Sequence, residues 1–383
     1  MNKNLLIFSI AYTPFIGGAE VAIIEITRRI KDVHFTVITP WNDKSLPREE
    51  VIEGVKVIRV GVGHSTIDKY ILPITGMLKA RHLHTKNPFD GVWSMMANTA
   101  GLAALFFKWV CKMPYLLTLQ EGGTEKYYWK KTWMWRPLYI AIYRQPKLMQ
   151  VISTFLEDRA RRYGYKGDVT LVPNGVDVTR FLVDVPAEKT SSLRTQLELS
   201  AEDRVIITTS RIVQKNAIDD LVNGFALLKK RLDMPLKLVV LGDGDQRPMV
   251  EKIINQHGLN DDVLLLGFVD HAELPTYLAM SDVFIRPSRS EGLGNSFLEA
   301  MGAGLPIVGT PVGGIRDFLV DGETGVFCQP DDPESIAVAI ERLLTNEKLR
   351  SHVIEKGRAM VPETYNWDVI AKTMRGIFDR LWS

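Results

Sequence analysis

The sequence predicts an α/β chain made of two doubly wound, Rossmann-like domains, and three observations predict it. A length of 383 residues leaves room for two domains at roughly 100 to 200 residues each. Short β-rich apolar runs alternate with longer amphipathic ones, as expected for buried parallel strands separated by helices. The alternation stops once, at Pro173-Asn174-Gly175, and restarts after a polar stretch. With 46% apolar and 24% charged residues, the composition excludes a disordered chain, a collagen-like chain and a disulfide-built scaffold.

Seven runs read as strands of the first domain: Leu5–Ile10, Phe35–Thr39, Val55–Val60, Gly91–Met95, Tyr115–Leu119, Leu148–Ile152 and Val169–Val172. Residues Phe181 to Ala201 are polar and broken by Pro186, with only a short helical pattern around Leu193 to Leu197, so they suit a connection between domains. The second set of strands is Val205–Thr209, Leu236–Leu241, Val263–Leu266, Val283–Arg286 and Leu305–Val308. Helical periodicity separates them at Ala217–Leu232, Gln246–His257, Ala272–Met280 and Asn295–Ala303. The run Trp367 to Trp382 places Trp367, Ile370, Met374, Ile377 and Leu381 on one stripe of a last helix. The expected domains are 1–180 with 366–383, and 181–365. Two such sheets facing one another present the carboxyl ends of their strands to a cleft, where ligands of open α/β sheets bind.

Charge divides the halves. Residues up to Val185 carry 25 Lys/Arg against 16 Asp/Glu, a charge of +9, and the remainder carries 22 against 29, a charge of −7. A basic first half suits an anionic surface or substrate, or a solvated face without a partner. Cys111 and Cys328 are the two cysteines, and no Asn-x-Ser/Thr sequon occurs, so a reducing compartment is expected, with the cytoplasm as the default. The apolar start Leu5 to Ala11 is short for a signal peptide. Gly101 to Cys111 is interrupted by Lys108 and falls short of the ~20 residues that span a bilayer, so membrane contact is expected to be peripheral.

The stretch from Arg286 to Met301 carries the most chemistry. It leaves a strand and opens a helix, with Glu291, Gly292, Leu293, Gly294 and Asn295 in the turn and Glu299 inside the helix. Gly292 and Gly294 let the backbone approach a ligand, and free N–H groups at the helix start favour phosphate. If both carboxylates face the cleft, one accepts hydrogen bonds from a sugar and the other from a ribose diol. A second element, Ser210 to Asn216, adds Arg211 and Lys215 at a strand end. Fixed cations there stabilise a departing diphosphate without a metal.

These residues resemble the retaining glycosyltransferases of family 4, the group 1 glycosyl transferases of GT-B fold. The resemblance also rests on Pro14-x-x-Gly17-Gly18-Ala19-Glu20, Pro173-Asn174-Gly175-Val176-Asp177, Gly242-Asp243-Gly244, and Gly313-Gly314-Ile315-Arg316-Asp317 before Asp321-Gly322-Glu323-Thr324-Gly325. It implies two Rossmann-like domains across a cleft, the first on the acceptor side and the second holding the nucleotide sugar. It implies that Arg211 and Lys215 hold the diphosphate, Glu291 contacts the donor sugar and Glu299 the ribose. Backbone near Phe268 and Val269 would meet the base, Gly17 and Gly18 would close over the reacting centre, and the last helix would return to the first domain.

Four departures stand out, one of them Asp317 in place of a common Glu, which shortens a carboxylate without removing it. Where many relatives carry a His, this chain has Gln120-Glu121-Gly122-Gly123; Gln120 cannot act as a base, while Glu121 or a neighbour could position an acceptor. Asn216 replaces a frequent Gly after the Lys, and Asn tolerates left-handed backbone angles. Arg286 occupies a strand end that is usually apolar, without an evident reason.

Asp243-Gly244-Asp245 has a metal-type spacing but reads as a turn, and His82 with His84 lacks metal-ligating partners, so no metal and no cofactor beyond the nucleotide sugar are expected. The stretch containing Trp129, Lys130, Lys131, Trp133, Trp135 and Arg136 interleaves rings with cations. It suits contact with an anionic membrane, a lid over the acceptor or aromatic core with a polar edge, or stacking of Trp129, Trp133 or Trp135 on a sugar. No nucleic-acid motif appears. The expected activity is metal-independent, retaining transfer of a sugar from a UDP- or GDP-sugar to an acceptor hydroxyl of a glycan or lipid-linked acceptor, in glycan, polysaccharide or glycolipid biosynthesis at the cytoplasmic membrane's inner face. The alternatives are an epimerase or phosphorylase of the same architecture, or a catalytically silent nucleotide-sugar binder acting as a membrane scaffold.

Overall fold

A computed structural model describes residues 3–15 and 17–382. The chain divides into two compact units, Met1–Gly175 with Trp367–Ser383, and Val176–Asn366. The first boundary thus lies after Gly175, where residue 180 was expected. The reason is local: Val176 N–H donates to the Tyr365 carbonyl at 2.7 Å, and Phe181 is buried against Gly302, so residues 176–181 pack with the second unit.

Unit 1 holds an eight-stranded sheet. Its strands are β1 (Lys3–Phe8), β2 (Val33–Pro40), β3 (Glu49–Ile52), β4 (Val55–Val60), β5 (Gly91–Met95), β6 (Tyr115–Leu119), β7 (Leu148–Val151) and β8 (Val169–Leu171). Their order is β3-β4-β2-β1-β5-β6-β7-β8. All neighbours pair in parallel except β3 with β4. Leu5 to Phe8 are fully buried, because helices cover both faces and leave the central strand no polar side. The seven expected strands are present with ends shifted by up to two residues, and β3 is added. Glu49 and Val51 of β3 are exposed, so this edge strand has no apolar run to announce it.

The helix Trp367–Trp382 packs on unit 1. Trp367, Ile370, Met374, Ile377 and Leu381, the stripe read from the sequence, are buried with Phe378, which meets Trp93 at 5.3 Å between ring centres. Rim contacts Arg375–Asp32 at 2.7 Å and Arg380–Asp168 at 2.9 Å accompany that burial.

Unit 2 holds a six-stranded sheet: β9 (Arg204–Thr209), β10 (Leu236–Leu241), β11 (Val263–Gly267), β12 (Val283–Arg286), β13 (Ile307–Gly309) and β14 (Val326–Phe327). Its order is β11-β10-β9-β12-β13-β14, parallel throughout. Strand order therefore reverses between β9 and β12. Loops leaving two such strands diverge to opposite faces and open a crevice at the carboxyl edge. Those loops are 210–217 and 287–294. The connection 181–201 includes a helix at Ala187–Gln196, longer than its pattern suggested.

One helix end is strained. Lys112 caps the helix Thr99–Cys111 with φ 56°, and it is exposed. A left-handed non-glycine residue costs roughly 1 kcal/mol. Lys112→Gly is expected to raise unfolding stability by about 0.5–1 kcal/mol, read from the denaturant midpoint at unchanged slope.

Candidate active site

The two loops at the unit 2 switch point are tied together. Arg289 N–H donates to the Lys215 carbonyl at 2.8 Å, and the Arg289 side chain donates to the Gln214 carbonyl at 2.7 Å and to Asp219 at 2.9 and 3.0 Å. Arg289 therefore holds the cation loop beside the glycine turn.

That turn needs its glycines. Gly294 has φ 100° at the start of the helix Asn295–Gly302, and a Cβ there would lie 2.8 Å from the Phe297 ring. Gly313 has φ 55°, and a Cβ on it would fall 1.8 Å from the Glu291 carbonyl oxygen. Two backbones thus approach more closely than any side chain allows. Gly292, Leu293 and Gly294 are buried, and Asn295 is half-buried. In the first turn of the following helix Phe297 N–H donates to the Gly294 carbonyl at 3.0 Å, and N–H groups at a helix start are of the kind that can receive an anion.

Glu291 sits at the centre, 8% exposed. Its Oε2 accepts from Arg286 Nη2 at 2.5 Å, and its Oε1 accepts from Gly292 N–H at 3.2 Å and lies 3.9 Å from Lys215 Nζ. Burial pushes this carboxyl up, but Arg286, Lys215, the Gly292 N–H and Arg211 outweigh burial and hold it below the usual range. It is therefore an ionised carboxylate at neutral pH. The Lys215 pKa is lowered too, which for an ammonium disfavours the charged form: burial lowers it, Glu291 opposes that, and Arg286 and Arg211 lower it further. Arg211 is exposed. Three cations against one carboxylate leave this corner with positive charge to spare.

Glu299 lies apart from that cluster. Its Oε1 is 3.0 Å from His271 Nε2, whose Nδ1 is 2.6 Å from Arg180 Nη1, and the His271 ring meets Phe181 edge-on at 5.4 Å. Sequence reasoning missed Arg180 and His271, since neither belongs to a motif. Phe268 is 87% exposed and Val269 half-buried, so the ring is open to stacking.

In unit 1, Gly17 and Gly18 are exposed at the start of the helix Gly18–Arg29, where Glu20 accepts from Gly17 N–H at 2.9 Å. Gln120 Oε1 accepts from Asn174 Nδ2 at 3.1 Å. Glu121, with its neighbours a candidate to position an acceptor, is turned inward. It is 5% exposed, and its two oxygens accept from the Ala97 and Gln120 N–H groups, so it braces the loops after β5 and β6. Burial pushes its pKa up against those bonds and Arg159.

The ring-and-cation stretch forms the helix Glu125–Lys131 and a turn at Trp133–Trp135. Trp133 and Met134 are 69% and 76% exposed, and Trp129, Lys130 and Lys131 are exposed too. Arg136 and Trp135 are not free members of this surface. The Arg136 guanidinium stacks 3.8 Å from the Trp129 ring centre and donates to the Trp129 carbonyl at 3.0 Å, while Trp135 packs edge-on against buried Tyr139 at 5.5 Å. No helix among the described residues is long and apolar enough to cross a membrane.

Family models match almost end to end. Residues 16–180 match Glycosyltransferase Family 4, and residues 189–360 match Glycosyl transferases group 1. The chain belongs to the group 1 glycosyltransferases of family 4. Among curated relatives of this glycosyltransferase, an uncharacterised glycosyltransferase of Methanocaldococcus jannaschii is 27% identical over 278 residues, 71% of this chain and 70% of that one. A GDP-mannose-dependent alpha-(1-6)-phosphatidylinositol monomannoside mannosyltransferase of Mycobacterium tuberculosis is 30% identical over 228 residues, 57% of this chain and 58% of that one. This glycosyltransferase thus spans little more than half the length of the second relative. Anabaena HepE, solved with UDP-glucose, superposes with a TM-score of 0.83 at 17% identity, covering 98% of this chain and 99% of that one, which establishes the GT-B fold.

Proposed function

We propose that this glycosyltransferase moves a sugar from a UDP- or GDP-sugar to an acceptor hydroxyl with retention at the anomeric carbon, in the assembly of a glycan, polysaccharide or glycolipid. One observation carries the reading: an ionised, buried Glu291 set among Arg286, Lys215 and Arg211 beside the open start of a helix. A carboxylate that accepts from sugar hydroxyls and cations that receive a diphosphate are what a nucleotide sugar presents partners for. Relatives whose names specify GDP-mannose or UDP-glucose support the donor class.

In the proposed reaction the bond from the anomeric carbon to the β-phosphate oxygen breaks while the acceptor oxygen bonds to that carbon on the same face. The acceptor proton passes to the departing phosphate oxygen. Arg211, Lys215 and the N–H groups at Asn295–Gly302 stabilise the charge that grows on the diphosphate. Gln120 and Asn174 belong to the acceptor side in this reading, as do Gly17 and Gly18. Calorimetric titration with UDP-, GDP- and ADP-sugars, followed by product analysis, tests it. A sugar attached to an acceptor supports transfer; an isomerised nucleotide sugar or a sugar phosphate contradicts it.

Glu299 is assigned to the ribose, held by His271. Glu299→Gln is expected to raise the donor KM roughly 10-fold with kcat nearly unchanged, because a ribose hydroxyl bond of about 1.5 kcal/mol is made equally before and during reaction. Initial rates over a donor series check this.

The exposed Trp133, Met134, Trp129, Lys130 and Lys131 are assigned to an anionic lipid surface at the cytoplasmic membrane's inner face, where each basic residue adds about 1 kcal/mol. Trp133→Ala is expected to reduce flotation with anionic liposomes and to leave the melting temperature alone. Trp135→Ala is expected to lower the melting temperature, since its ring is packed on Tyr139. Unchanged flotation of Trp133→Ala would defeat the assignment.

A further inference from the structure

Asn216 and Arg286 are the two departures from the family pattern that no motif explains, and the structure places them in contact. Arg286 Nη2 donates to Asn216 Oδ1 at 3.0 Å, although 70 positions separate them. The same nitrogen donates to Glu291 Oε2 at 2.5 Å, and Nη1 donates to Ser296 Oγ at 3.1 Å. Asn216 Nδ2 in turn donates to the Arg211 carbonyl at 2.7 Å. Both side chains are buried, with exposures of 1% and 9%. An unbroken run of hydrogen bonds thus leads from the main chain of the cation loop, through Asn216 and Arg286, to the carboxylate of Glu291, with a branch to the first turn of Asn295–Gly302.

The left-handed backbone at this loop belongs to Ala217, with φ 55°, and Asn216 is absent from the positive-φ residues. Tolerance of that conformation, the reason suggested by the sequence, therefore does not account for Asn216. Its side chain does: one end fixes the loop and the other fixes Arg286. The planar guanidinium presents its donors at set angles, so the partners on its two terminal nitrogens, Ser296 on Nη1 and Asn216 on Nη2, fix the direction from which Nη2 meets the Glu291 carboxylate.

We propose, resting on the donor-site reading above, that Asn216 and Arg286 form one positioning unit that sets the Glu291 carboxylate against the Arg211–Lys215 loop. Neither acts on reacting atoms. The groups facing Glu291 are Arg286 from the end of β12, Lys215 and Arg211 from the loop after β9, and the Gly292 N–H, while its carbonyl faces Gly314 N–H at 3.4 Å. Because Asn216 Oδ1 and Glu291 share one nitrogen of Arg286, the two side chains should fail together.

The test is a double-mutant cycle on the full chain: wild type, N216G, R286L and N216G/R286L, with R286K as the conservative variant. R286L is expected to lower kcat/KM on the order of 10- to 50-fold, and N216G roughly 3- to 10-fold. The double variant should lose no more than R286L alone. In R286L the acid limb of the kcat/KM profile should move to higher pH, since Glu291 has lost its nearest cation; R286K should restore that limb without restoring the whole rate. Losses that multiply, or an acid limb that stays put in R286L, overturn the proposal.

A readout without turnover separates this from the donor reading. Melting temperatures from about pH 4 to pH 8 should differ most between wild type and R286L near neutrality and converge on acidification. The wild-type pairing is present above the ordinary carboxylate range and is lost as pH falls through Glu291's lowered value. Parallel melting curves overturn the positioning unit, whereas failure of wild type to bind any nucleotide sugar in the calorimeter overturns the donor reading instead.

Discussion

Replacing Glu291 by Gln should lower kcat/KM for sugar transfer by roughly 100- to 1,000-fold, about 3–4 kcal/mol, because the donor sugar loses charge-assisted hydrogen bonds of about 1.5–3 kcal/mol each. Gln keeps the shape of the side chain, so the glycine turn and the Gly313 approach survive. What it loses is charge: Arg286, at 2.5 Å, and Lys215, at 3.9 Å, face an amide in place of a carboxylate. Half of that amide is a donor that repels both cations and cannot accept from a sugar hydroxyl. The pH dependence carries the sign. Glu291 is held below its usual pKa, so its contribution to stability and to donor recognition is complete above the ordinary carboxylate range and vanishes as pH falls through the lowered value. The wild-type acid limb should therefore be missing from Glu291→Gln. Binding of the nucleoside diphosphate alone should survive within a few-fold, since its cations and helix end remain. Equal losses for the diphosphate and for the whole nucleotide sugar would remove Glu291 from the sugar subsite.

How much of this was legible in the sequence depends on where each residue's partners lie. Buried parallel strands announce themselves as apolar runs, so β1 and β9 could be read directly. Strand β3 could not, since this edge strand exposes Glu49 and Val51 and only half-buries Glu50 and Ile52, so no apolar run marks it. The donor loop was legible because its glycines and Glu291 are contiguous in the chain and each answers to a local requirement: a backbone angle, a helix start, a charge. Arg180 with His271, and Asn216 with Arg286, were not legible as pairs. Their contacts span 91 and 70 positions and arise only when the β9 and β12 loops, or the segment after residue 176, are folded onto one edge. Glu121 misled for the opposite reason. A carboxylate in a glycine loop looks exposed in sequence, but two main-chain N–H groups at Ala97 and Gln120 draw it inward.

Lys215→Met should abolish most activity, with kcat falling roughly 100-fold, and should at the same time raise the melting temperature. The two effects share a cause. Burial disfavours the ammonium, Arg286 and Arg211 disfavour it further, and Glu291 at 3.9 Å compensates only in part, so the net shift of Lys215 is downward. A charge that the fold holds against its preference destabilises the empty protein. It becomes useful when a diphosphate arrives, and more useful as the glycosidic bond breaks and negative charge accumulates on the leaving oxygen. Met fills a similar volume without the charge, which removes the strain and the catalytic benefit together. The sign follows from linkage. With the folded-state pKa below the ordinary lysine value, the unfolded chain binds the extra proton, so the penalty is full at neutral pH and disappears as pH rises above that ordinary value. The stability advantage of Lys215→Met should accordingly be present at neutrality and fade in strong base. Added UDP or GDP should raise the melting temperature of wild type more than that of the variant, because only wild type gains the ammonium–phosphate attraction. A variant that melts lower than wild type at neutral pH would mean that Lys215 is a structural counter-ion for Glu291 and not a cation kept ready for the donor.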